Sequence, residues 1–121
     1  MENLEIRRTA GGGGETTILR IHGPLTLATL FDFQNAVRQP DLKNTILDLT
    51  EVPYIDSAGL GVILSAWAHS QRIGCKFALA GIRERIETLL DITKIKAMLP
   101  SFATVEEAER NFNSNNAAAS H

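Results

Sequence analysis

Apolar and polar positions alternate along "LEIRR" and "TTILRIHG", the period of a half-buried strand, and the glycine run "AGGGGE" between them accommodates the positive-φ turns of a hairpin. This predicts antiparallel strands near residues 4 to 8 and 16 to 22. After "HGP" the period changes. Thr26 is placed to cap a helix whose apolar positions Leu27, Leu30, Phe31 and Val37 recur at helical spacing and which ends before Pro40. "NTILDLT" then reads as a strand, "AGLGVILSAWAHSQRIG" as a helix closed by Gly74, and "CKFALAG" as another strand. "IRERIETLLDI" gathers Ile82, Ile86, Leu89 and Leu90 on one helical face. A short strand near Ala97 to Leu99 precedes a last helix, "TVEEAERNF", with Val105, Ala108 and Phe112 facing in. The tail from Asn113 to His121 offers little to bury and is expected to be disordered.

Strands alternating with helices predict a layered α/β domain over residues 1–112. Its mixed sheet of four to five strands is opened by an N-terminal hairpin, and about four helices pack mainly on one face. Leu19, Ile21, Leu47, Leu49, Phe77 and Leu79 supply the apolar face, and Arg20, His22, Asp48, Thr50 and Lys76 alternate with them. Arg20 and Asp48 are expected to pair across neighbouring strands, a structural role for both.

Composition narrows the function classes. Of 121 residues, 44% are hydrophobic, enough for one core, and the formal net charge of -2 with both signs interspersed gives no basic field for a phosphate backbone or anionic lipid surface. Nucleic acid is therefore not an expected partner. One cysteine, Cys75, excludes an internal disulfide and fits a reducing cytoplasm. "MENLEIRRTA" lacks the apolar core of a signal peptide and no apolar run suffices to span a bilayer, so neither cleavage nor membrane insertion is expected. Three scattered histidines without a second cysteine offer no metal constellation, and the glycine run ends in Glu15 and a strand rather than the Lys-Ser/Thr and helix of a phosphate loop. No cofactor is expected.

The chemistry concentrates in "YIDSAGLGVILSAW". A nucleophilic Ser57 needs a base in reach, yet His69 lies twelve residues along the same helix, about 18 Å away at about 1.5 Å per residue, and the G-x-S-x-G elbow is missing. Asp56 or Ser57 instead suits a helix cap. At about 100° per residue, Leu60, Val62, Ile63, Ala66, Trp67 and Ile73 fill the core-facing arc. Gly61, Ser65, Ala68 and Arg72 fall within about 80° of Ser57, with Leu64 beside them. Small residues, where a solvated face carries Lys, Glu and Gln, suit close approach of a partner. A phosphate on Ser57 would place about two negative charges at the head of that stripe.

These segments resemble the STAS domain, named for sulphate transporters and anti-sigma factor antagonists, and within it the single-domain bacterial anti-sigma factor antagonists. The resemblance runs from about Leu4 to Phe112 through "TILRIHGPL", "ILDLTEVPYIDSAGLGVIL", "GCKFALAGI" and "RIETLLDITKIKAMLPSFATVEEA", with "IDSAGLG" its most specific element. It implies a cytoplasmic, non-enzymatic regulator in which Ser57 is the phosphoacceptor of an anti-sigma factor serine kinase, with Asp56, Ala58 and Gly59 as its surroundings. The unphosphorylated form would bind the anti-sigma factor and free the sigma factor, and a PP2C-type phosphatase would restore it after phosphorylation. The partner face would comprise Gly61, Leu64, Ser65, Ala68 and Arg72, flanked by the Thr26 to Leu30 loop with Thr26 and Thr29 as its contact residues. Where many members carry two acids after the second strand, this chain has Pro24 and Thr26. The family also includes stressosome scaffolds and cytoplasmic accessory subunits of lipid transporters, the alternative role. Exposed faces leave room for weak self-association.

Overall fold

The computed structural model describes residues 3–12 and 14–119. Five strands form one sheet in sequential order: β1 (Glu5–Ala10), β2 (Thr16–His22), β3 (Asn44–Glu51), β4 (Phe77–Ala80) and β5 (Ser101–Phe102). β1 pairs antiparallel with β2, as the hairpin pattern predicts, and all later pairs are parallel. This order determines where the helices go. Each crossover to a parallel neighbour is right-handed and steps in the same direction across the sheet, so the intervening helices must share one face. They are α1 (Leu30–Val37), α2 (Ser57–Arg72) and α3 (Glu84–Ile92). The last helix, α4 (Val105–Ala119), follows the final strand and returns over the other face.

Both faces are therefore buried in the middle of the sheet. Leu19, Ile21, Leu47, Leu49, Phe77 and Leu79 join the main core beneath the first three helices, the apolar face read from the sequence. The opposite positions Ile18, Ile46, Ala78 and Ala80 pack against Val105, Ala108 and Phe112 of α4, which makes β3 and β4 near-continuous apolar runs. On the part of that face that α4 leaves open, Arg20 Nη1 donates to Asp48 Oδ2 at 3.0 Å, and Asp48 Oδ1 accepts from the Thr50 backbone N–H and hydroxyl. Asp48 is buried with each oxygen satisfied, the structural pairing expected of it.

Three expectations need correction. The strand placed near 97 to 99 is a 3₁₀ turn, Ile95–Ala97, closed when the Met98 and Leu99 N–H groups donate to the Ile95 carbonyl. Pairing starts only where the Pro100 carbonyl accepts from Leu79, because proline has no N–H to offer the ladder. The helix after Thr26 divides into a 3₁₀ turn, Leu27–Thr29, and α1. Its inward residue is Phe33, while Leu27 and Phe31 face solvent. Ile73 is exposed as the C-cap of α2, and Ser70 is buried on its last turn instead. The last helix, α4, runs on past Phe112 to Ala119, and residues 120 and 121 of the tail lie outside the described residues. Once Val105 to Phe112 have nucleated the helix on the sheet, each added residue costs little, and the terminal alanines are strong helix formers.

Candidate functional site

The site is built where the chain after β2 and the chain after β3 run side by side. Gly23 N–H donates to Glu51 O at 3.1 Å, Leu25 N–H to Tyr54 O at 3.1 Å, and Asp56 N–H to Leu25 O at 3.0 Å, with a parallel bridge between Leu25 and Ile55. Leu25 is completely buried beneath this pairing. The two segments together present the N-terminus of α2.

Asp56 is the N-cap. One carboxylate oxygen accepts from the Gly59 N–H at 2.9 Å, and the other accepts from the Leu27 N–H at 3.0 Å. A single side chain thus caps α2 and ties the 3₁₀ turn to it. The Gly59 amide, then the Leu27 and Ala58 amides, hold its carboxyl below the usual carboxylate range against a smaller opposing effect of burial. Asp56 is an anion that stabilises its own loop.

Gly59 faces the Leu25 carbonyl at close quarters. A Cβ at this position would lie 2.3 Å from that oxygen, so only glycine lets the loop cross the first turn of α2. Gly61 is different, because a Cβ there would meet nothing within 4 Å. It belongs to the outer surface.

Ser57 opens α2 with its side chain exposed, and its hydroxyl forms no hydrogen bond with the described residues. Gly61, Ser65 and Arg72 are exposed in line with it, with Leu64 and Ala68 half-buried along the margin, so the structure brings the predicted stripe together on one face. Ala58 is half-buried beside Ser57. His69 is exposed in the last turn of the same helix, far from Ser57.

Thr26 and Thr29 do not join that surface. They are 8% and 5% exposed, and their hydroxyls serve the loop: Thr26 Oγ1 accepts from Ala28 N–H, while Thr29 Oγ1 donates to Pro24 O at 2.8 Å and accepts from Thr26 N–H at 3.0 Å. This reciprocal capping box turns both side chains inward. What the loop offers to solvent is Leu27, 72% exposed, and Phe31, 78% exposed. Periodicity counted these two as core. The signal that finds them is their company: Leu27 is hydrogen-bonded to the residue that caps the Ser57 helix.

Among the described residues no helix is long and apolar enough to cross a membrane, and no group of three metal-ligating side chains gathers. The site thus combines a half-buried acid engaged in capping, an exposed serine with no hydrogen bond to the described residues, and exposed apolar side chains on the adjoining segment.

Comparisons with known proteins agree with this geometry. An anti-sigma-B factor antagonist of Listeria monocytogenes is 34% identical over 71 residues, 59% of this chain and 59% of its own, so the match spans about three fifths of that relative. The structure of an anti-sigma factor antagonist from Mycobacterium paratuberculosis superposes with a TM-score of 0.79 at 13% identity, covering 92% of this chain and 95% of the other. The Bacillus cell fate determinant SpoIIAA in its phosphorylated form gives 0.66 at 17% identity, covering 88% and 98%. At those identities the two structures speak for the fold alone. Residues 6–108 match the model of the STAS domain, nearly the whole of the sheet and its helices, and the chain belongs to the STAS domain family.

Proposed function

We propose that the chain is an anti-sigma factor antagonist of the partner-switching kind. Unphosphorylated, it binds a cognate anti-sigma factor that is itself a serine kinase, and so releases the sigma factor. Phosphorylation of Ser57 ends that binding, and a PP2C-type phosphatase restores it, all in the cytoplasm. The protein is a substrate in this scheme and catalyses nothing.

The observation that carries the reading is the placement of Ser57. Its free hydroxyl heads the small-residue face of Gly61 and Ser65 on its own helix, and the segment tied to the adjacent Asp56 through the Leu27 N–H exposes Leu27 on its turn and Phe31 at the start of α1. Apolar side chains exposed beside a shallow, small-residue face are what a docking partner desolvates. A phosphate there brings a charge of about -1.5 to -2 and its hydration shell into that contact. The helix N-terminus would tolerate the anion, whereas Asp56 would repel it, so the fold survives while the interface closes. Family membership and the antagonist relative in Listeria support the same reading.

The test is to incubate the protein with its candidate kinase and ATP, map the phosphosite, and measure partner binding of Ser57→Ala and Ser57→Asp. Ser57→Ala should bind and resist phosphorylation, and Ser57→Asp should bind weakly. Phosphate on another residue, or full binding by Ser57→Asp, would refute the switch.

A further inference from the structure

We infer that the groove between α1 and α2 is a binding site for a long-chain carboxylate, a single-chain amphiphile with one anionic head. The groove is open and large, ≈ 1050 Å³, just above the range of about 300–1,000 Å³ usual for small-molecule sites. Both helices run antiparallel to the parallel strands, so their C-termini lie together at one end. The groove passes from that end to Ala58 and Gly61, beside Ser57. From Ala58 to Arg72 the helix rises about 21 Å at about 1.5 Å per residue. One leaflet's acyl chain spans roughly 15 Å, half the hydrocarbon thickness of a bilayer. A single long chain therefore fits lengthwise against Leu30, Val62 and Ala66.

The far end is polar and positive. Arg38, Lys43, His69 and Arg72 line it, and among the described residues no carboxylate lines the groove. Lys43 is paired with Glu15 at 3.5 Å, but Arg38 and Arg72 form no ion pair or hydrogen bond through their side chains with the described residues. Cations in the last turn of a helix ordinarily answer its dipole, which accounts for part of this charge. Two helix C-termini contribute about one negative charge between them against two unpaired guanidiniums. The surplus of about one positive charge matches a single carboxylate and falls short of a phosphate dianion.

A second observation is independent of charge. Thr45 and Ser70 line this end at 4% and 5% exposure, and neither hydroxyl is hydrogen-bonded within the described residues. Among the described residues no buried side-chain oxygen or nitrogen is sealed without a partner, so the remaining surface of these hydroxyls opens on the groove they line. Buried hydroxyls left for an incoming group are a ligand's partners, whereas an interface for an apolar helix would leave them stranded. The carboxylate is held by Arg38 and Arg72, with Ser70 and Thr45 donating beneath it.

The experiment titrates palmitate, below its micellar concentration, into the full chain and follows backbone amides by NMR, with calorimetry for affinity. Expected are saturable one-to-one binding, shifts at Gly61, Ser65 and His69, and affinity at least about ten-fold weaker for hexadecanol and for Arg38→Glu/Arg72→Glu, since each removes the charge-assisted contact. Ser65→Trp, which fills the groove from an exposed position, should abolish binding with the melting temperature unchanged. Absence of saturable binding, shifts confined to other surfaces, equal affinity for hexadecanol or for the charge-reversed variant, or tighter binding of hexadecyl phosphate would each overturn the inference. So would concentration-dependent dimerisation blocked by Ser65→Trp without palmitate binding, which would make the groove an interface between copies. All these readouts use the protein alone, so they stand or fall separately from the phosphorylation scheme.

Discussion

Asp56 should act as a two-ended tie, and truncating it in two steps separates the ends. Ser at position 56 can still accept from the Gly59 N–H but is too short to reach Leu27, whereas Ala loses both bonds. The cap is worth about 1 kcal/mol, the usual cost of replacing an aspartate N-cap by alanine. The bond to Leu27 is charge-assisted, nominally about 1.5–3 kcal/mol, but it lies at the surface where water replaces it, so about 1 kcal/mol is the realistic loss. Asp56→Ser should therefore cost about 1 kcal/mol and Asp56→Ala about 2 kcal/mol. For a chain of this size that corresponds to melting-temperature losses of roughly 4 °C and 8 °C.

Thermal and urea unfolding at pH 7 read both values. A pH series supplies the sign. Because the folded carboxyl titrates below its ordinary 3.8, its stabilisation is complete above that value and disappears as pH falls through the lowered folded pKa. The gap between the wild type and Asp56→Ser should hold from neutral pH to about pH 4 and close below it. If Asp56→Ser melts with the wild type, the Leu27 bond contributes nothing. If Asp56→Ala is no worse than Asp56→Ser, the cap contributes nothing, and either result breaks the account of how the loop is held.

Two glycines two residues apart should respond in opposite directions. Gly59→Ala must displace the Leu25 carbonyl and should lose more than about 2 kcal/mol, while Gly61→Ala meets open space and should gain up to about 1 kcal/mol from helix propensity, both read by urea denaturation. Ala68→Glu should weaken binding of the anti-sigma partner at least about ten-fold with a stability change within about 0.5 kcal/mol; a large stability loss would show that this face is buried. Leu27→Ser/Phe31→Ser should likewise reduce partner binding in a pull-down or calorimetric titration without lowering the melting temperature, and a clear fall in that temperature would mean the pair serves the core.

Most of the fold is legible because it rests on short-range rules. Alternation exposes β1 and β2, the run from Ser57 to Arg72 is long enough to declare a helix, and Gly74, at φ 73°, ends it in the left-handed conformation its sequence position suggests. Pro100 shows the limit: apolar Met98 and Leu99 read as a strand, yet the partner carbonyl and the missing proline N–H shift the pairing two residues along. Register with β4 is a tertiary property that no local pattern carries.

The loop after β2 failed to read correctly for a reason tied to the site. A helix counted at about 100° per residue from Leu27 puts Leu27, Leu30 and Phe31 on the core, but the first turn is 3₁₀, with about three residues per turn, and the phase of everything after it changes. The capping box of Thr26 and Thr29 enforces that tighter turn, so the polar side chains are consumed inside and the apolar ones are turned out. Stability alone would favour the reverse assignment, since burying two large side chains is worth about 1.5–3 kcal/mol each. A chain that forgoes this next to an unpartnered serine shows the kind of local inconsistency expected of a functional surface. On that argument Leu27 and Phe31, rather than the two threonines, are the residues of this segment that the proposed docking at Ser57 would use.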